Sequence, residues 1–86
     1  MAKIVLYGTL YCPYCVRAKA LLDNKQVDYL EIRVDQDPGK RMEMMQRGGG
    51  RTVPQIFIDS NPIGGCDELH TLEYNGKLDS LLENQA

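Results

Sequence analysis

The junction between Lys3 and Cys15 constrains this chain more than any other stretch. A short apolar run, Lys3-Ile4-Val5-Leu6-Tyr7, stops at Gly8, and Cys12-Pro13-Tyr14-Cys15 follows. Apolar and β-branched residues bounded by glycine read as a buried strand. Proline suits the first position of a helix, because its missing N–H would find no intrahelical partner there. Cys12 therefore falls at an N-cap, and the helix runs from Pro13 to about Asn24. On that helix Cys15, Ala18 and Leu22 share one face with Leu21 beside them, while Arg17, Lys19 and Lys25 take the polar side.

The remaining elements follow from similar signals. Val27 to Val34 alternates as a second strand, with Tyr29 and Glu31 on one face and Leu30 and Ile32 on the other. Asp37-Pro38 opens a second helix of about ten residues, Asp as cap and Pro in the first turn. Met42 and Met45 mark its apolar side, and Gly48-Gly49-Gly50 ends it. Pro54 to Ile58 is strand-like, and a turn over Asp59-Ser60-Asn61-Pro62 returns the chain into Ile63-Gly64 as a hairpin. A last helix begins near Asp67 and is expected to break at Asn75-Gly76 before a short C-terminal turn. The order β-α-β-α-β-β-α predicts an α/β fold: a parallel pair first, an antiparallel hairpin later, and one mixed sheet flanked by helices.

Length and charge narrow the function classes. Eighty-six residues supply one core, so residues 1–86 are expected to form one domain. Ten Lys and Arg against twelve Asp and Glu give a net charge of −2, the wrong sign for a nucleic-acid protein. No apolar run approaches a signal-peptide core or a membrane span, so a cytoplasmic protein without a membrane partner is expected.

In such a compartment three cysteines, at 12, 15 and 66, make a poor framework for structural disulfides. Cys12 at an N-cap meets the free amides of the first turn and the positive end of the helix dipole, which stabilise negative charge on sulfur. Cys15, one turn on and facing the core, is expected to be shielded. Cys12 attacks and Cys15 resolves. Two other readings are weaker. Simple packing does not explain the strand and the proline on either side of the pair. A zinc site from Cys12, Cys15, Cys66 and His70 has the ligand types, but Pro13-Tyr14 lacks the glycine that lets amides approach a metal's sulfurs, so no metal is expected.

Three stretches in order, Tyr11-Cys12-Pro13-Tyr14-Cys15, Arg51-Thr52-Val53-Pro54-Gln55-Ile56-Phe57-Ile58 and Gly64-Gly65-Cys66-Asp67-Glu68-Leu69, resemble a dithiol glutaredoxin of the small bacterial type over essentially the whole chain. The resemblance implies the thioredoxin fold, with a four-stranded mixed sheet and with Pro54 cis and facing the active cysteines. It implies no permanently bound cofactor, glutathione as reductant, and glutathionylated or disulfide-containing proteins as substrates, with ribonucleotide reductase as an example. The protein would act as a monomer.

The implied glutathione-binding residues are Tyr14, Arg41, Thr52, Val53, Pro54, Gly65, Cys66 and Asp67. Val53 would pair its backbone with the cysteinyl part of glutathione, as an added strand does. The helix start at Gly65-Cys66-Asp67 would hold the γ-glutamyl carboxylate, with the Asp67 side chain on the α-amino group. Arg41 would contact the glycine carboxylate, and Tyr14 would flank the bound sulfur. Plainer roles stand beside these: Arg41 and Arg51 as solvated charges, Asp67 as a cap, Cys66 as a small residue lending its backbone, and His70 at the surface. The chain departs from the family at Thr9, where many members carry Lys or Arg; binding would then rest more on Arg41, Arg51 and the helix terminus. Alternatives are a redoxin-type electron donor reduced by thioredoxin reductase, and a glutathione-assisted iron–sulfur carrier.

Overall fold

The computed structural model describes residues 3–48 and 50–83. Gly49, part of the glycine stop, lies outside them. Strand β1 is Ile4–Gly8, α1 is Pro13–Asn24, β2 is Leu30–Arg33 and α2 is Pro38–Gln46. After these come β3 at Gln55–Ile58, β4 at Asn61–Gly64, α3 at Cys66–Tyr74 and α4 at Leu78–Glu83. The four strands lie in the order β2-β1-β3-β4. β1 runs parallel to β2 and antiparallel to β3, and β3 is antiparallel to β4. The expected parallel pair and hairpin are both present.

Because side chains alternate across a strand, β1 feeds two cores. Ile4 and Leu6 join Ala18, Leu22, Ile56, Ile58, Leu69, Leu78 and Leu82 on the α1, α3 and α4 side. Val5 and Tyr7 join Val34, Met44 and Phe57 on the α2 side. Fully burying a leucine stabilises a fold by about 1.5–3 kcal/mol, which makes the leucine-rich first layer the stronger one. Lys25 adds a polar clamp there, with Nζ 2.7 Å from Glu73 and 2.9 Å from Asp79, tying the end of α1 to α3 and α4. Across the sheet, the buried Tyr7 hydroxyl donates to Glu43 Oε2 at 2.6 Å and accepts from Arg47 Nη1 at 2.7 Å. Arg47 also lays its guanidinium 4.9 Å from the centre of the Phe57 ring.

Five expectations shift. Past Asn75-Gly76 the chain forms a further helix, α4, in place of a short turn. β2 is shorter than Val27–Val34, because its pairing with β1 starts only at Val5↔Leu30 and ends at Gly8↔Arg33. The same pairing carries β1 through Gly8. On α2 the buried methionine is Met44, with Met45 packed beside it, while Met42 is 54% exposed. Arg47, at the C-cap of that helix, covers the Tyr7 and Phe57 rings although it reads as polar, so hydrophobic letters alone misplace the face. The hairpin turn is tighter than four residues. Asp59 and Ser60 both take positive φ, 52° and 69°, as two-residue hairpin turns require, and Pro62 pairs opposite Phe57 within β4. An edge strand tolerates that proline.

Candidate active site

The first turn of α1 is built as its residues dictate. Cys12 is extended (φ −84°, ψ 116°), Pro13 opens the helix, and the Cys12 sulfur accepts the Cys15 N–H at 3.3 Å. Val16 N–H donates to the Cys12 carbonyl at 3.0 Å, closing the turn. Cys12 is half-buried and its Sγ lies 3.7 Å from the Val53 carbonyl oxygen.

Cys15 is fully buried, as its place on the Ala18 and Leu22 face predicts. Burial pushes its thiol up to about 11, the nearby Cys12 adds to the rise, and a backbone hydrogen bond from Thr9 works against it. Behind Cys15 stands Gly8, where a Cβ would come within 3.0 Å of the Cys15 sulfur. A side chain there would crowd that sulfur and Leu6, so glycine eases the packing.

Beside the cysteines lies a groove of about 460 Å³ lined by Tyr14, Thr52, Val53, Pro54, Gly65, Cys66, Asp67 and Glu68. It gathers every binding residue implied by the resemblance except Arg41. The Val53–Pro54 bond is cis, as that resemblance implies. Tyr14 is 54% exposed at the rim, with the Arg17 guanidinium 6.0 Å from its ring centre. Gly65 caps α3, so Cys66 and Asp67 offer first-turn N–H groups that no helix carbonyl can reach. The Gly65 N–H itself is taken by Glu68 Oε1 at 2.7 Å.

Arg41 sits on α2, away from the groove lining, and Nη1 donates to the Arg51 carbonyl at 3.1 Å. Arg51 is exposed. His70 departs from the surface expectation. It is half-buried, and its Nδ1 lies 2.9 Å from the Cys66 carbonyl and 3.4 Å from the Cys66 sulfur. A carbonyl oxygen only accepts, so Nδ1 carries the proton. Cys66 is buried, and burial raises its thiol. Among the described residues, no three or more His, Cys, Asp or Glu side chains gather as a metal cluster, and no helix is long and apolar enough to cross a membrane.

Two contributors escape the sequence reading. Glu68 lines the groove and caps Gly65, and the spacing from N-cap to N3 is the signal that could have found it. Gln55, buried at the start of β3, reaches the Thr52 carbonyl with Nε2 at 2.9 Å.

Comparison with known proteins converges on one group. The glutaredoxin family model matches residues 4–63. The glutaredoxin of Pseudomonas aeruginosa is 52% identical over 95% of this chain and 98% of its own. Glutaredoxin 3 of Escherichia coli K12 is 52% identical over 96% of this chain and the full length of its own. Among solved structures, the Brucella melitensis glutaredoxin superposes with a TM-score of 0.84 at 51% identity, covering 96% of this chain and 90% of that one. A buckwheat glutaredoxin–glutathione complex superposes with a TM-score of 0.86 at 36% identity, covering 94% and 76%. With its cysteine pair at a helix terminus, its thioredoxin-fold sheet and relatives matched nearly end to end, this chain belongs to the glutaredoxin family of thiol oxidoreductases as a small bacterial-type member.

Proposed function

We propose that this protein is a glutathione-dependent thiol–disulfide oxidoreductase that reduces protein–glutathione mixed disulfides and protein disulfides. One observation carries the reading: the Cys12 sulfur stands at the N-terminus of α1, 3.7 Å from the Val53 carbonyl of the groove, with Cys15 buried one turn behind.

In the first reaction the Cys12 thiolate attacks the glutathionyl sulfur of the mixed disulfide. A Cys12–glutathione disulfide forms, and the substrate sulfur leaves as a thiolate that takes a proton. A second glutathione thiolate then attacks the bound glutathionyl sulfur, releasing glutathione disulfide and restoring Cys12. In the second reaction Cys12 attacks a protein disulfide, and Cys15 attacks the Cys12 sulfur of the resulting mixed disulfide. The reduced substrate leaves and a Cys12–Cys15 bridge remains, which two glutathiones reopen.

The raised Cys15 thiol suits this division. With a pKa of about 11, about one Cys15 in ten thousand is ionised at pH 7. It does not compete with glutathione for the Cys12 adduct until a proton is removed from it. Val53 would offer its backbone to the cysteinyl unit of glutathione, and the α3 terminus at Gly65, Cys66 and Asp67 would receive the γ-glutamyl end. Tyr14, Thr52 and Pro54 would complete the walls, and Arg41 would reach the glycine carboxylate.

A coupled assay with glutathione, glutathione reductase and NADPH on a small glutathione mixed disulfide tests this, run beside a thioredoxin-reductase assay. Turnover is expected with glutathione. Turnover with thioredoxin reductase alone would replace the reading with the redoxin alternative.

A further inference from the structure

Three consecutive carbonyls in the loop before β3 are each met by a side chain from a different element. Arg41 on α2 donates to the Arg51 carbonyl at 3.1 Å. Gln55 donates from Nε2 to the Thr52 carbonyl at 2.9 Å, with Thr52 Oγ1 at 3.4 Å. The Cys12 sulfur lies 3.7 Å from the Val53 carbonyl. Of these three residues, Arg41 and Cys12 keep partial exposure, whereas Gln55 is 6% exposed.

Gln55 is also the one polar residue buried in the core among the described residues, in a strand that continues Ile56-Phe57-Ile58. A hydrocarbon of similar volume would fill that space at least as well, and a buried amide is tolerated only when hydrogen-bonded. The loop closes over it as well: a Cβ on Gly50 would lie 3.0 Å from Gln55 Nε2. The amide therefore lies against Gly50 while it bonds Thr52.

Planarity gives this contact a direction. The Thr52 carbonyl and the Val53 N–H belong to one trans peptide unit, so they point opposite ways. Holding the Thr52 oxygen inward on Gln55 turns the Val53 N–H away from the core, and Val53 lines the groove.

We propose that Gln55 is a positioning residue for substrate recognition: by fixing the Thr52 carbonyl it aims the Val53 main chain at the peptide backbone of the incoming glutathionyl group. The inference rests on the glutathione reading above, with Val53 as its main-chain contact. Gln55 touches no reacting atom. It sets the angle at which the recognising backbone is presented.

Steady-state turnover of a small glutathione mixed disulfide would be measured for the wild type, Gln55→Leu and Gln55→Glu, together with the rate of Cys12 alkylation by iodoacetamide. Iodoacetamide has no peptide backbone to pair with Val53. Gln55→Leu is expected to raise KM for the mixed disulfide about five- to twentyfold, with kcat and alkylation within about twofold of wild type. Gln55→Glu adds a pH signature. Ionised, its carboxylate can only accept and repels the Thr52 oxygen; protonated, it donates again, so its KM relative to wild type at the same pH falls towards one on acidification.

An unchanged KM in Gln55→Leu overturns the proposal, as does a parallel collapse of KM, kcat and alkylation, which would reduce Gln55 to a packing residue. Should Gln55→Leu fail to fold, the Gln55→Glu ratio decides alone, and a ratio flat with pH overturns the proposal. A wild type with no glutathione-dependent turnover would sink the glutathione reading and this inference together. A wild type that saturates normally while both variants match it would sink the inference alone.

Discussion

Two helices in this molecule begin with the same grammar and put it to different ends. Asp37 caps α2 and Cys12 caps α1. Each is extended, each is followed by proline, and each side chain accepts an N–H of the first turn, from Gly39 at 2.9 Å and from Cys15 at 3.3 Å. Asp37 faces solvent, and its carboxylate does nothing beyond closing its helix. Cys12 faces the carbonyl of Val53, a residue that lines the groove. A helix terminus that favours a negative atom is a structural commonplace. It becomes a reaction centre when that atom is a nucleophile and a recognising surface stands opposite it.

The hardest test of this comparison exchanges the capping atoms. Cys12→Ser keeps an N-cap acceptor, so the thermal midpoint should stay within about 2 °C of wild type, while turnover on both substrate types falls by roughly a thousandfold or more, because a hydroxyl replaces the thiolate. Adding Asp37→Cys to Cys12→Ser should bring back iodoacetamide alkylation, at the start of α2, without restoring turnover in the coupled assay. Recovery of turnover would mean that a thiol at any helix start is enough.

The next effect separates the two thiols. Cys15→Ser should abolish catalytic reduction of a protein disulfide and leave deglutathionylation within about threefold, since that route bypasses the Cys12–Cys15 bridge. Equal loss in both assays would undo the division of roles.

Smaller effects fall on stability. Asp37→Ala should cost about 1 kcal/mol in denaturant unfolding, the usual loss for a cap, and leave kcat within twofold. Alkaline pH should act through Cys15. Its thiol rises from an ordinary 9.0 to about 11 in the fold, so folding favours the protonated form. That contribution is complete below pH 9 and disappears as pH climbs through 11. Tyr29, raised from 10.0 to about 12 chiefly by burial, adds a parallel loss at slightly higher pH. Cys15→Ser should flatten the first part of the decline in denaturation midpoint against pH.

Much of this was legible in the chain because the signals were local. Pro13 and Asp37-Pro38 mark helix starts through single-residue stereochemistry, and α1 ends at Asn24 as its periodicity predicts. The cysteine pair carries its own geometry. The groove was legible only through resemblance, since nothing in the letters brings Val53, in the loop before the third strand, to Cys12 at the cap of the first helix.

What stayed hidden depends on partners distant in sequence. The length of β2 is set by β1, and the buried side of α2 depends on an arginine spread over aromatic rings. Pro62 is admitted to a strand only because that strand is an edge. Gln55 is the clearest case. A lone glutamine in an apolar strand looks like a lapse in the pattern until the Thr52 carbonyl is seen above it.

The bare backbone of Gly8 bears on which sulfur would move in the proposed reaction. Cys15 is fully buried, with the Gly8 backbone so close at its back that a Cβ there would lie 3.0 Å from its sulfur. Cys12 is only half-buried. In the proposed Cys12–Cys15 bridge the approach would come from the outer sulfur, moving inward at the start of its helix while the buried one stays in place. Opening and closing the bridge is then a motion of the surface. In the proposed cycle the interior would act as an anvil, and the redox state would change without reworking the core.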